Sequence, residues 1–276
     1  MKIAYLGPKG TFTEQAVKEL FPDSELIAIR PIRNVVNLIE SGKAEFGVLP
    51  LENFYNGEVR ETLDALTESK DVKIIQEKAL TISHCIGFLK NHEQIKKVIS
   101  KDQALEQCSK YLCDNYPDAD TIAVTSTTEA AKRIIKENLL DAAAIGSESS
   151  LRELGLEILD KDICKNNKTR FVVIGKKETQ PSGDDKTFLA INPKIDRPGV
   201  LYNILGFLAG LQINLEYIQS RPNGEKGYYF YLELDGHLQE ENVEKAIEAI
   251  KLSLDPEKKF ANTVKILGSF PNTHWK

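Results

Sequence analysis

The first segment with the composition of a binding site is Gly7–Glu14, which follows an apolar strand candidate and precedes a helical pattern. Gly7 and Gly10 permit a sharp turn, and Thr11 and Glu14 have the spacing of a capping box. Free amides and the positive end of the helix dipole then face the loop and attract anions. An ordinary strand-to-helix turn explains the same pattern, and the spacing does not match a nucleotide-binding GxxxxGK[ST] loop.

Two further segments place hydrogen-bonding side chains at strand ends. Pro50–Val59 lies between a predicted strand and a predicted helix, and the amide of Asn53 can donate and accept, although Asn is also a common turn residue. Asn166–Phe171 begins an apolar strand with the hydroxyl of Thr169 and the guanidinium of Arg170. A guanidinium can bind a carboxylate through two parallel hydrogen bonds, although polar residues often begin strands.

Two predicted helix starts complete the candidate site. Ser100–Cys108 follows a strand, and Gln107 lies about one turn into the helix, pointing either at a cleft or at solvent. Thr125–Ala131 is rich in hydroxyls, and Ser126 is suited to cap the helix. Because ligands of open α/β folds bind outside the carboxyl ends of the strands, these segments together predict a site for a small anion.

Composition excludes several classes of protein. The 276 residues are 41% hydrophobic and 28% charged with a net charge of -5, and no basic run predicts nucleic-acid binding. The sequence lacks the features of a signal peptide or a membrane span, which predicts a cytoplasmic protein without membrane partners. Four cysteines without a CxxC pair predict buried thiols, and four scattered histidines predict no metal site.

The hydrophobic pattern predicts an α/β fold in two parts. Short apolar runs alternate with helical patterns over residues 1–176, which is typical of parallel α/β layers. Helices are predicted over Gly57–Leu66 and Gln103–Tyr116. Residues 177–186 are polar, contain Pro and Gly and are predicted to form a linker. Residues 187–276 show the order βαββαβ of a ferredoxin-like domain, with its first strand over Phe188–Ile191.

Taken in order, these segments resemble the prephenate dehydratase family over essentially the whole chain. The resemblance is carried by Gly7–Phe12, Pro50–Asn53, Gly57–Val59, Ser83–His84, Ser100–Cys108, Gly146–Glu148, Gly155–Leu156 and Thr169–Phe171. It implies a catalytic domain of two α/β lobes, like a periplasmic binding protein, with lobe 2 at about residues 80–155. It also implies a C-terminal ACT regulatory domain.

The implied reaction is the decarboxylating dehydration of prephenate to phenylpyruvate, water and CO2 in L-phenylalanine biosynthesis, without metal or organic cofactor. The catalytic residues implied by the resemblance are Thr169, Asn53 and Gln107. The implied or plausible substrate contacts are Gly10, Thr11, Phe12, Glu52, Ser100, Ser126, Arg170 and Phe171, with Arg170 either binding substrate or bracing the fold. The implied site for the effector L-phenylalanine comprises Pro198, Gly199, Val200, Leu201, Gln219, Ser220, Arg221 and Pro222, across a homodimer or homotetramer formed through the ACT domains.

The sequence departs from the family pattern at three places. Phe54 stands where a hydroxyl residue is usual, Lys101–Asp102 replaces His-Pro, and Gln219 replaces Glu in an ESRP-type segment. Two alternatives stay open. Arogenate, with an amino group where prephenate has a keto group, is an alternative substrate, and a sensor that binds a small ligand without turnover is an alternative function.

Overall fold

The fold is taken from a computed structural model, which describes residues 1–165, 167–194, 197–224, 227–257, 259 and 263–275. Asn166, part of one predicted site segment, lies outside the described residues. The elements, in chain order, are β1 (Lys2–Leu6), α1 (Phe12–Leu20), β2 (Glu25–Ile29), α2 (Ile32–Glu40), β3 (Phe46–Asn53), β4 (Gly57–Glu58), α3 (Arg60–Glu68), β5 (Lys73–Thr81), β6 (Cys85–Phe88), β7 (Lys97–Lys101), α4 (Asp102–Gln107), α5 (Ser109–Asn115), β8 (Asp120–Val124), α6 (Thr127–Glu137), β9 (Ala142–Gly146), α7 (Glu148–Glu153), β10 (Glu157–Asp160), β11 (Lys168–Gly175), β12 (Asp185–Ile191), α8 (Val200–Gly210), β13 (Leu215–Pro222), β14 (Tyr228–Asp235), α9 (Glu241–Leu254) and β15 (Val264–Pro271).

The chain divides into two compact units that interleave in sequence. Unit 1 comprises residues 1–35, 47–62 and 78–171, and unit 2 comprises residues 36–46, 63–77 and 172–276. Unit 2 therefore contains the C-terminal domain together with two segments from the first half of the chain.

Unit 1 contains a mixed sheet with the strand order β10-β6-β9-β7-β8. Strands β7, β8 and β9 run parallel, and β6 is antiparallel to β9. Two apolar clusters include alternating residues of β9, with Ala143 and Ile145 in one and Ala142 and Ala144 in the other. Both faces of this strand are therefore covered, which explains its continuous apolar sequence.

A second set of strands in unit 1 carries the polar loops. Strands β1 and β2 are parallel and in register from Lys2–Glu25 to Leu6–Ile29, so their carboxyl ends meet at one edge. The predicted helix start at Gly57 is wrong. Gly57 has a φ of +71° and pairs with Asn53 in a short β3–β4 hairpin, so α3 begins three residues later at Arg60.

The predicted helix Gln103–Tyr116 is interrupted. Cys108, with a ψ of 5° and a fully buried side chain, ends α4 and precedes α5, which starts at Ser109. The sequence analysis did not predict β6, β10 or α7 as separate elements. They are only four to six residues long, too short for a repeating hydrophobic pattern.

The C-terminal part of unit 2 has the predicted order β12-α8-β13-β14-α9-β15, which confirms the ferredoxin-like ACT fold. Strand β12 begins at Asp185 rather than Phe188, and Lys186 is buried beside Glu77 at 3.8 Å, so the predicted linker contributes to the strand. Strand β15 approaches β5 closely: a Cβ on Gly268 would lie 2.2 Å from the carbonyl oxygen of Ile74. This contact requires glycine.

Three of the four thiols are buried as predicted, namely Cys85, Cys108 and Cys164, but Cys113 is exposed on α5. Within the described residues, no helix is long and apolar enough to cross a membrane. No cluster of three His, Cys, Asp or Glu side chains suited to a metal ion occurs among the same residues.

Candidate active site

Unit 1 contains a cleft of about 530 Å³ that is lined from both of its strand systems. This volume lies in the usual range for a small-molecule site. Its walls include segments that follow the carboxyl ends of β1, β2, β7 and β8, as expected for an α/β fold. The predicted site residues that line it are Thr11, Phe12, Asn53, Gln107, Ser126, Thr169 and Phe171.

Asn53, at the end of β3, is buried and connects the backbone to the cleft. Its Oδ1 accepts the backbone N–H groups of Tyr55 and Asn56 at 3.1 and 3.2 Å. Its Nδ2 donates to the carbonyl of Lys168 at 3.1 Å and to Thr169 Oγ1 at 2.9 Å. The side chain is therefore held at both ends, and its donor side faces Thr169.

Gln107 connects the side chains of Asn53, Asn56 and Asn167, and we call these four residues the amide network. Gln107 Nε2 donates to Asn53 Oδ1 at 3.1 Å and to Asn56 Oδ1 at 2.6 Å. Its Oε1 accepts from Asn167 Nδ2 at 2.9 Å and lies 3.1 Å from His84 Nε2. Of the two orientations that the sequence left open, Gln107 points at the cleft.

Strand alternation separates the residues of β11 that line the cleft from those that do not. Thr169 and Phe171 line the cleft, whereas Arg170 between them is 1% exposed and is not part of the cleft lining. Arg170 lies 3.9 Å from Glu52, whose side chain is likewise outside the lining. Because successive strand side chains point to opposite faces, Arg170 and Glu52 lie outside the cleft lining, whereas their neighbours Thr169 and Asn53 lie within it.

The first loop provides part of the predicted anion site. Thr11 caps α1: its Oγ1 accepts the N–H of Glu14 at 3.4 Å, while the Glu14 carboxylate accepts the N–H of Gly10. The Gly10 amide is thus used within the loop, and Gly10 does not line the cleft. With a φ of +83° and a Cβ position only 2.8 Å from Ser150 Oγ, Gly10 serves the shape of the turn.

The second helix start behaves similarly. Ser126 caps α6 by accepting the N–H of Glu129 at 3.2 Å, and Thr125, Ser126 and Thr127 all line the cleft. Ser100, by contrast, does not line the cleft. It is fully buried, and its hydroxyl donates to the carbonyl of Ile145 at 2.7 Å. Its hydroxyl therefore stabilises the contact between β7 and β9.

Three cations that the sequence analysis did not assign to the site also line the cleft: Arg30, Arg60 and Lys101. Burial, and next the neighbouring Arg30, lower the pKa of Lys101, while Glu61 acts in the opposite direction. Glu58 and Glu61 line the cleft as well. A bound carboxylate would offset the repulsion between the two cations, so the cleft favours an anionic ligand.

His84 and Asn167 were part of recognised segments but had no assigned role. The signal that could have found Arg30 and Lys101 is topological. Each directly follows or ends a strand, at the carboxyl edge where the loops after β1 and β8 lie. No comparable sequence pattern identifies Asn56, which reaches the network only because the β3–β4 hairpin turns back.

The predicted effector segments belong to unit 2. Gly199, with a φ of +85°, precedes α8, and Val200 is buried in the core of the C-terminal domain. Gln219 Nε2 donates to the carbonyl of Ser220 at 3.3 Å. Arg221 forms two hydrogen bonds with the Asp64 carboxylate, at 2.8 and 3.1 Å. Arg221 is thus already held by an acidic side chain.

Comparisons with known proteins agree with this geometry. Residues 3–179 match the family "Prephenate dehydratase", and residues 194–252 match "ACT domain". The chain is 39% identical to the bifunctional chorismate mutase/prephenate dehydratase of Aquifex aeolicus over 277 residues, covering 98% of this chain and 74% of the relative. It is 38% identical to the prephenate dehydratase of Methanocaldococcus jannaschii, in an alignment that covers 98% of this chain and 97% of the relative.

Among solved structures, prephenate dehydratase from Arthrobacter aurescens in complex with L-Phe aligns with a TM-score of 0.90 at 28% identity. That alignment covers 100% of this chain and 92% of the other. The sequence matches and the structural match each extend across the residues that form the cleft and across the C-terminal domain. This chain therefore belongs to the prephenate dehydratase family.

Proposed function

We propose that this chain converts prephenate to phenylpyruvate in the cleft of unit 1, with Thr169 assisting departure of the ring hydroxyl. The observation that carries this proposal is the position of Thr169: it lines the cleft, and Asn53 Nδ2 donates to its Oγ1 at 2.9 Å. Loss of CO2 supplies the electron pair that expels hydroxide, and aromatisation of the ring drives both steps. The dianion becomes the phenylpyruvate monoanion, CO2 and hydroxide, and a proton from solvent then makes water.

Thr169 acts as a hydrogen-bond donor in this scheme. A hydroxyl that accepts from Asn53 keeps its own hydrogen for another acceptor, and the leaving oxygen gains negative charge as its bond to carbon breaks. A donor already held in place stabilises that charge without reorganisation, which is the main source of such rate enhancements. Asn53 and Gln107 carry neutral amides that do not titrate, so their role is to orient Thr169 and the substrate.

The substrate carboxylates are assigned to the cationic part of the cleft. Arg30 is fixed through its Nε, which donates to the carbonyl of Gly7 at 2.7 Å, and Lys101 donates to Gln103 Oε1 at 3.0 Å. A dianion bound near both would favour the charged form of Lys101 and so act against the burial that lowers its pKa. The backbone amides near Thr11 and Phe12 supply further donors at the helix dipole.

The C-terminal domain is assigned a regulatory role, with L-phenylalanine as effector and the ACT domains joining copies of this cytoplasmic chain. The ACT fold and the L-Phe bound by the Arthrobacter aurescens relative support this assignment. Pro198–Leu201 and Gln219–Pro222 form the proposed effector site. Gln219 can accept a hydrogen bond from the effector ammonium, but without the charge of the usual Glu.

The decisive experiment is a turnover assay of the purified chain, with prephenate and arogenate as separate substrates. Phenylpyruvate is followed by its absorbance, and phenylalanine, the product from arogenate, by chromatography. We expect turnover of prephenate. Turnover of arogenate alone would select the alternative substrate, and binding of either compound without product would select the sensor.

A further inference from the structure

Backbone groups fix the orientation of Asn53 without ambiguity. Its Oδ1 accepts two backbone N–H groups, and its Nδ2 donates to a backbone carbonyl. An N–H cannot accept and a carbonyl cannot donate, so the amide oxygen and nitrogen cannot be exchanged. The direction of every hydrogen bond that Asn53 makes to a side chain follows from this.

The orientation of Gln107 follows from that of Asn53. Because Asn53 Oδ1 is an acceptor, the group 3.1 Å from it must be the Gln107 nitrogen. Gln107 Oε1 then faces Asn167 Nδ2 at 2.9 Å and His84 Nε2 at 3.1 Å. An amide oxygen only accepts, so His84 must carry a hydrogen on Nε2.

The surroundings of His84 agree with this tautomer. The side chain is 3% exposed and packs edge-on against the Phe12 ring, with centroids 5.4 Å apart. Burial lowers the pKa of His84, although its hydrogen bond with Gln107 acts in the opposite direction, so the ring is neutral at neutral pH. Its second nitrogen, Nδ1, is buried and has no hydrogen-bond partner among the described residues. A lone pair is tolerated there far better than an unpaired charged N–H.

The hydrogen bonds that link His84, Gln107 and Asn53 end at Thr169. Asn53 Nδ2 donates to Thr169 Oγ1, so the hydroxyl hydrogen points to a different acceptor. Among the described side chains, none accepts that hydrogen, and Thr169 lines the cleft. The hydrogen is therefore available to a ligand in the cleft.

We propose that His84 is a positioning residue that completes a hydrogen-bond relay, running from His84 through Gln107 and Asn53 to Thr169. The relay presents the Thr169 hydrogen to the leaving hydroxide, and this inference rests on the proposed role of Thr169. Without the His84 donor, Gln107 Oε1 keeps only Asn167, so the side chain that donates to Asn53 is held by one hydrogen bond fewer. Coupled hydrogen bonds of this kind contribute more together than singly.

Three variants test the inference by steady-state kinetics. His84→Phe keeps a ring against Phe12 and removes the donor, whereas His84→Gln can restore an N–H near the position of Nε2. The control is His92→Phe, the same substitution at an exposed residue whose ring packs on Phe88 outside the cleft. We expect His84→Phe to lower kcat roughly 10- to 100-fold with KM changed less than about threefold, because the relay affects the transition state.

His84→Gln should recover most of the lost kcat, and His92→Phe should match the parent enzyme. A folded His84→Phe protein with kcat close to the parent would overturn the inference, as would equal losses in His84→Phe and His84→Gln. If Thr169→Ala also kept normal kcat, the proposed function of Thr169 would fail instead. Loss in Thr169→Ala with normal His84→Phe would reject the relay alone.

The tautomer itself can be measured in the parent protein, independently of whether the variants fold. Nitrogen-15 NMR of labelled protein at neutral pH should show hydrogen on Nε2 of His84 and none on Nδ1. The His84 signals are assigned by their absence in His84→Gln. Hydrogen on Nδ1, alone or together with Nε2, would contradict the inference.

Discussion

The cleft of unit 1 and the proposed effector segments of unit 2 differ in how firmly their polar groups are held. In the cleft, Asn53 and Gln107 each make several side-chain hydrogen bonds to residues distant in sequence. In the proposed effector segments Arg221 is held by Asp64, but within the described residues Gln219 donates a single bond of 3.3 Å to its own neighbour Ser220, and Gly199 begins α8 without a side-chain cap.

We interpret this difference as that between a site preorganised within one chain and a proposed site that a ligand or a second copy would complete. A preorganised cleft is what electrostatic catalysis needs, because its donors do not reorganise during reaction. An effector instead shifts the equilibrium between two states of the protein, because it binds them with unequal affinity. Its site therefore does not need groups that are all held in place beforehand. Substitutions in the cleft should therefore change kcat strongly, and substitutions in the effector segments should change the response to phenylalanine.

The largest effect is expected from Thr169→Ala. Loss of the positioned hydroxyl should lower kcat roughly 10²- to 10⁴-fold, with a smaller change in KM. Steady-state kinetics with prephenate measures both constants, and circular dichroism checks folding. Near-normal kcat in a folded variant would remove Thr169 from the mechanism.

Gln107→Glu should have the next largest effect. A carboxylate has nearly the shape of the amide but donates no hydrogen bond, so Asn53 Oδ1 loses the Gln107 donor, and we expect kcat to fall about 10- to 100-fold. Gln107→Met is the control for added charge, since it removes the same donor without introducing a carboxylate. A loss in Gln107→Glu but not in Gln107→Met would point to added charge rather than to the relay.

The sequence predicted more of the fold than of the candidate site. The alternating pattern predicted strands and helices near their observed bounds, and Ser126 caps α6 as the sequence predicted. The roles of Ser100 and Arg170 required the structure, because only strand position shows which face a polar side chain occupies. The amide network joins residues more than 50 positions apart, and no local pattern records such pairing.

Regulation is tested by point substitution rather than by removal of the C-terminal domain, because that domain supplies the buried Lys186 and the exposed Thr273 as partners of the buried Glu77. Gln219→Glu restores a carboxylate for the effector ammonium. We expect the phenylalanine concentration for half inhibition to fall about fivefold, corresponding to about 1 kcal/mol between charged and neutral hydrogen bonds. Parent and variant are compared by phenylalanine titration. An unchanged titration would place the ammonium elsewhere.

A smaller effect is expected from Asp64→Asn. Helix α3 begins at Arg60, which lines the cleft, and continues to Asp64, whose carboxylate binds Arg221 beside the effector segment. Because Asp64 is about half exposed, the pair contributes modestly, and we expect a two- to threefold shift in half inhibition with kcat unchanged. Asp71→Asn, at another exposed ion pair of unit 2, is the control. Equal titrations for all three proteins would exclude a role of this pair in regulation.

The smallest effect concerns pH and stability. Burial lowers the pKa of His84, so the unfolded chain binds a proton near pH 6.5 while the folded chain does not. The free energy of unfolding should thus fall as pH drops below about 6.5, by at most about 1.4 kcal/mol per pH unit from this group. Urea unfolding between pH 8 and pH 5 should show a shallower decline for His84→Gln. Parallel curves for the two proteins would show that His84 titrates alike in both states.

The central claim is that the hydroxyl of Thr169, held by Asn53, assists the chemical step. Single-turnover conversion of prephenate by Thr169→Ser and Thr169→Val tests it most directly, because serine keeps the hydroxyl and valine keeps the shape. We predict that Thr169→Ser forms phenylpyruvate within about tenfold of the parent rate, whereas Thr169→Val is slower by roughly 10²-fold or more. Equal rates for the serine and valine variants would contradict the account.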